Sequence, residues 1–157
     1  MLLLSFAACQ VDNLAPFTLT DINSTSPTFM TDVSTSDYVG TTTAWYFGHA
    51  TWSYCSSQFG RLDVLNNELA ENTSIKIFGI NAIGKESGNE FVTNDRDTPW
   101  LQDEEAVEAW DLWQVNYRDV FVLDGDQNLA AKLSLTELDL TETENYEYLK
   151  DLLLSTD

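Results

Sequence analysis

At 157 residues the chain has the length of one ordinary domain, and its 43% hydrophobic and 12% aromatic content is that of a folded protein rather than a disordered tail. Seven Lys and Arg against 26 Asp and Glu give a net charge of −19, which repels phosphate backbones and anionic headgroups and excludes nucleic acid as a partner. The acids are spread over many segments and read as a solvated coat, of the kind that suits a saline setting, and two cysteines are too few for a disulfide framework.

The chain opens on an apolar stretch that runs through Ala7 and Ala8 to Cys9 and Gln10, the order of a bacterial lipoprotein leader in which Cys9 is the lipidated residue. Phe6 stands where leucine is usual. The stretch is short and no Lys or Arg precedes it, which a start codon assigned too late would explain. The plainer alternative is an incidental cysteine in an unstructured cytosolic tail. The run is far too short to span a bilayer. The expected organisation is a leader and tether over residues 1–13 and one domain over 14–157. The protein is then an exported bacterial lipoprotein, periplasmic or at the cell surface, that touches membrane through an N-terminal lipid anchor alone.

Residues 14–21 alternate apolar and polar after Pro16, as an edge strand does, and residues 22–36, rich in Ser, Thr, Asn and Asp, predict a loop. Residues 41–47 are β-branched and then aromatic, a central strand that ends at Gly48. From Ser53 to Asn72 the period changes. Phe59, Leu62, Leu65 and Leu69 mark one face of a helix, Ser53 is its expected N-cap, and Cys55 falls in its first turn. Residues 75–80 predict a second buried strand, and 81–99 are irregular with room for a short helical turn. Residues 103–113 predict a helix with acids in its first turn, where the dipole favours them. Residues 119–124 and 129–135 form a hairpin turned by Gly125 and Asp126, and 142–154 a closing helix with Tyr146, Leu149, Leu152 and Leu153 inward.

Three segments together resemble the redoxin group, which holds the alkyl hydroperoxide reductase/thiol-specific antioxidant proteins and the TlpA-like thioredoxins. They are residues 15–21, the strand ending in Trp45, Tyr46 and Phe47, and residues 50–55. Residues 120–125 resemble that group's late strand and Asp-Gly hairpin. The N-terminal thioredoxin-like domain of selenoprotein P is the nearer resemblance, through residues 50–55, 98–103, Ala109, Trp110 and 118–124. The likeness implies an α/β thioredoxin-like fold, a central mixed β-sheet flanked by helices and preceded by an N-terminal extension. It also places Arg118 where most thioredoxins carry a cis-proline beside the reactive sulfurs.

The resemblance further implies a departure at the site. Selenoprotein P reads Ala-Ser-Sec-x-x-Cys, so Trp52 takes the selenocysteine's place and Cys55 that of the resolving cysteine. TlpA-like chains read Trp-Cys-x-x-Cys, and there Ser53 and Ser56 replace both thiols. The usual dithiol is absent either way. Position 52 is either a genuine tryptophan or a selenocysteine codon rendered as tryptophan.

Cys55, at the start of a helix, sits where unpaired N–H groups favour negative charge, with His49 upstream and Arg118 able to assist. The implied function is a thiol or selenol redox protein that reduces peroxides or disulfides through Cys55, without a cofactor, on a thiol/disulfide protein partner or a small peroxide. The alternative is a redox-inactive binding module in which Trp52 replaces the nucleophile. The bland readings are a buried structural Cys55, a packing Trp52 and a hydrogen-bonding His49. Residues 124–128 open like an EF-hand loop, but Leu129 and Leu135 occupy the places of its glycine and bidentate glutamate, so a hairpin turn is expected and no calcium site. One histidine and one domain cysteine do not make a zinc site, and there is no Gly-rich phosphate loop or serine nucleophile elbow.

Overall fold

The computed structural model describes residues 14–157, so the leader reading and Cys9 lie outside the described residues. The chain builds a five-stranded mixed sheet in the order β5-β4-β3-β6-β7. Its centre is β3 (Thr43–Gly48), every residue of which is buried. β3 pairs in parallel with β4 (Lys76–Asn81) and antiparallel with β6 (Asp119–Leu123). β5 (Trp100–Gln102) extends the parallel side and β7 (Leu129–Ser134) the antiparallel side.

Strand periodicity divides the core. Along β3, Ala44 and Tyr46 point into one cluster while Trp45 and Phe47 point into the other. The first cluster lies under α1 (Ser53–Ala70) and α4 (Thr143–Thr156), through Phe59, Leu62, Leu65, Leu149 and Leu153. The second is aromatic, with Trp45 stacked on Phe78 at 4.3 Å and Trp113 and Phe17 closing over them. Parallel pairing of β3 with β4 needs a crossover, and α1 supplies it. The α/β architecture, a mixed central sheet flanked by helices, is the one the sequence implied.

Several boundaries differ from those expected. The edge strand shrinks to β1 (Thr18–Thr20), and the expected loop at 22–36 contains its partner β2 (Asp32–Ser34) and the start of a 3-10 turn, Thr35–Tyr38. The cause is Asp21, a fully buried carboxylate that accepts from Asn23 N and Trp100 N and from the hydroxyls of Ser26 and Thr28, and so folds the polar segment around itself. The strand β5 was not expected, and the irregular stretch before it holds α2 (Asn89–Thr93).

The predicted helix over 103–113 is reduced to α3 (Ala109–Leu112). Asp103 is buried and its carboxylate accepts from the N–H groups of Glu104, Ala109 and Trp110, which holds a turn where a regular helix would have started. In the β6–β7 hairpin the left-handed residue is Gln127 (φ 66°), not Gly125, because Asp124 draws Asp126 N and Asn128 N onto one carboxylate oxygen. α4 runs on to Thr156, with Tyr146, Leu149 and Leu153 buried and Leu152 at the margin.

Candidate active site at the start of helix α1

Beyond Gly48 the chain leaves the sheet and turns into α1 through a bond from Trp52 N–H to the carbonyl of His49 (3.0 Å). Trp52, not Ser53, is the N-cap, and it offers no side-chain oxygen to the helix. Ser53 is instead the first helical residue and is exposed. Cys55 lies in the first turn, as expected, with its side chain directed inward and 0% exposed. From beneath, the Tyr46 hydroxyl donates to the Cys55 carbonyl (3.2 Å). Burial, and after it the neighbouring Cys55, pushes the Tyr46 hydroxyl well above its usual range, so it stays protonated and able to donate.

Arg118 reaches the sulfur. Its Nη1 donates to Cys55 Sγ (3.9 Å), its Nε donates to Thr136 Oγ1 (2.9 Å), and its guanidinium carbon lies 5.0 Å from the centre of the Tyr54 ring. The backbone aims it. Arg118 has φ 73°, a left-handed conformation that costs a side-chain-bearing residue about 1 kcal/mol. It is held there because its N–H donates to Phe47 O and its carbonyl accepts from Leu135 N, both at 2.8 Å. The residue before β6 is thus pinned between the ends of β3 and β7. The half-buried Arg118 lies against the thiol, and Tyr54 (37% exposed), beneath that guanidinium, donates its hydroxyl to the Leu135 carbonyl (3.2 Å).

His49 belongs to a second group. Its ring stacks on Trp52 (4.3 Å, 6° between planes), Tyr117 stands 4.9 Å from Trp52, and Trp110 stands 5.1 Å from Tyr117. Nδ1 of His49 lies 2.9 Å from Thr51 Oγ1, so the ring engages Thr51 and Trp52 rather than Cys55. Burial, followed by the charge of Lys85, holds the imidazole below its ordinary value of 6.5. The folded state therefore resists protonating His49. The stability this contributes is complete above pH 6.5 and is lost as the pH falls below that value toward the folded one. Because the chain has one histidine, its ring proton signals in an NMR titration are unambiguous, and a midpoint below that of the unfolded chain is expected.

Of the hydroxyls that replace the dithiol, Ser53 faces solvent and Ser56 is buried, accepting from Arg96 Nη1 (3.1 Å). Arg96 is held by the Val92 carbonyl and lies over Phe59. Sequence reasoning missed Arg96, Tyr46, Tyr117 and Thr136, although Tyr117 adjoins Arg118 in the chain. The arrangement offers one thiol, a guanidinium on it, and a helix start beside it. Among the described residues no three His, Cys, Asp or Glu come together to hold a metal ion, and no helix is long and apolar enough to cross a membrane.

No protein-family model and no curated protein matches the chain in sequence. Solved structures match it in fold. A protein described as thiol:disulfide interchange protein DsbE from Chlorobium tepidum superposes with a TM-score of 0.73 at 13% identity, over 92% of this chain and 95% of that one. Peroxidoxin BcpB from Mycobacterium tuberculosis gives 0.69 at 20% identity, over 93% and 96%. StoA from Bacillus subtilis gives 0.63 at 15% identity, over 88% and 96%. At these identities the likeness is one of fold, and the fold is thioredoxin-like.

Proposed function

We propose that this chain is a redoxin-class thiol protein that reduces peroxides or disulfides through Cys55. The observation that carries the reading is the Arg118 guanidinium on the sulfur of the one domain cysteine, at the start of α1. With a peroxide, the Cys55 thiolate attacks one oxygen, the S–O bond forms and the O–O bond breaks. The sulfur loses two electrons to become a sulfenic acid, and the leaving oxygen takes a proton and departs as water or an alcohol. A thiol partner then forms a mixed disulfide with release of water, and a second thiol restores Cys55. The thiol is fully buried in this structure, so the side chains that cover it, Arg118 among them, must move to admit the substrate.

The test uses the full chain carrying Cys9→Ser, exposed to hydrogen peroxide or oxidised glutathione and followed by mass spectrometry. Sulfenic acid trapped by dimedone, or a glutathione adduct, is expected at Cys55 in the folded protein and in none carrying Cys55→Ser. Labelling that begins only when the protein unfolds would mean an inert core cysteine.

That outcome leads to the second reading, a redox-inactive binding module. It is favoured by Trp52, 44% exposed and stacked flat on His49 beside Tyr117, an aromatic face at the position to which the selenoprotein P resemblance assigns a nucleophile. A tryptophan codon at 52 supports this reading. A selenocysteine codon there returns the first, with residues 52 and 55 cycling through a selenenylsulfide. We also read residues 1–13 as a lipoprotein-type leader and tether that exports the domain, which the mass of the mature N-terminus tests.

A further inference from the structure

β5 joins β4 late. The ladder between them begins where Gly79 N donates to Pro99 O (2.9 Å) and ends where Asp103 N donates to Asn81 O (3.2 Å). Even-numbered residues of β4 face β3, as the bond from Lys76 N to Thr42 O (3.1 Å) shows, so the Ile77 carbonyl points to the β5 side. Carried back one rung, the register sets that carbonyl against the nitrogen of residue 99, and proline has no N–H to give. Asn66 Oδ1 serves Ile77 N instead (3.0 Å). No other donor reaches the Ile77 carbonyl among the described residues, although Ile77 is buried and a buried carbonyl ordinarily has a partner.

A pocket of about 230 Å³ opens at this missing rung, lined by Ile77 and Pro99. Its other apolar walls are Pro27, Tyr38, Phe78 and Ala70, with the Tyr38 and Phe78 rings 4.8 Å apart. Lys76 and Asp97, both exposed, line it with one charge of each sign, so the pocket has no net charge of its own. The acidic coat around it disfavours anions. The pocket lies at the start of β4, at the end of the sheet opposite Cys55, which follows the end of β3.

We propose that this pocket binds a neutral, flat aromatic molecule with one ring N–H, of the indole class, whose N–H donates to the Ile77 carbonyl in place of the one residue 99 lacks. A closed cavity of about 150 Å³ holds benzene, so the larger space here accommodates two fused rings. Aromatic and proline walls suit a flat apolar face, and a satisfied buried acceptor fixes its orientation. The inference is independent of the chemistry at Cys55.

The test is an NMR titration of the full chain with indole and with N-methylindole, which keeps the rings and lacks the donor. Indole is expected to shift the backbone amides of Ile77 and Phe78 and the side-chain amides of Asn66 and Asn67. N-methylindole is expected to bind about 2- to 10-fold more weakly, the worth of one hydrogen bond. Pro99→Ala supplies an N–H that closes the rung, so indole weakens by a similar factor and loses its advantage over N-methylindole. Ala70→Leu, at an exposed helix position, fills the mouth and is expected to weaken both ligands at least about fivefold. It carries the test alone if Pro99→Ala does not fold. Unmoved pocket resonances under excess indole, equal affinity for the two ligands in the unsubstituted chain, or binding indifferent to Ala70→Leu overturns the inference.

Discussion

Arg118→Gln is expected to slow the reaction of Cys55 with hydrogen peroxide by about 10- to 100-fold, the loss of a charge-assisted hydrogen bond worth about 1.5–3 kcal/mol. The figure applies if the guanidinium acts on the sulfur's charge, as its contact with Sγ suggests. Were Arg118 only a cover, the shorter glutamine would expose the thiol and the reaction would quicken. The direction of the change therefore decides between the two roles. Arg118→Lys keeps the charge but cannot serve Cys55 and Thr136 with one planar fork, and an intermediate rate is expected. Stopped-flow measurement of peroxide consumption across these variants, with circular dichroism to confirm the fold, makes the comparison.

Gly79→Ala is expected to cost about 3–4 kcal/mol, at the upper end of overpacking, and to lower Tm by roughly 10 °C for a domain of this size. Gly79 lies in β4, a strand paired on both sides, and a Cβ there would stand 2.2 Å from Trp100 Cε3 and 2.6 Å from Phe59 Cε2. Neither ring has room to withdraw, since both are fully buried and pack against each other at 4.6 Å. Trp100 is also tethered by its indole N–H to Asn89. The double variant Gly79→Ala, Trp100→Phe is expected to recover part of the loss, because the smaller ring vacates space. Thermal unfolding of the four proteins in the cycle measures the coupling, and purely additive effects would show that the clash is relieved elsewhere.

Both results turn on neighbours far apart in sequence, and this marks what sequence alone determined. Apolar spacing was sufficient for α1 and α4, since a three- and four-residue period over many turns has one solution. Aromatic and β-branched runs were sufficient for β3, β4 and β6. Cys55 in the first turn of α1 also followed from the chain itself, because the period changes just before it. The resemblance to redoxins carried Arg118 to the thiol, and the structure brings that pair together.

Tertiary contacts decided the rest. Residues 22–36 and 103–113 are governed by Asp21 and Asp103, whose buried carboxylates bind backbone N–H groups and so override local propensity. β5 exists because β4 offers an open edge that Trp100, Leu101 and Gln102 can pair with. At the site, His49 turns to Trp52 rather than to Cys55, and Arg96 comes to Ser56 from 40 residues away. Periodicity records which face of an element is buried. It does not record which charged or polar group arrives from another element to satisfy what burial leaves exposed, and that pairing is fixed only when the elements pack.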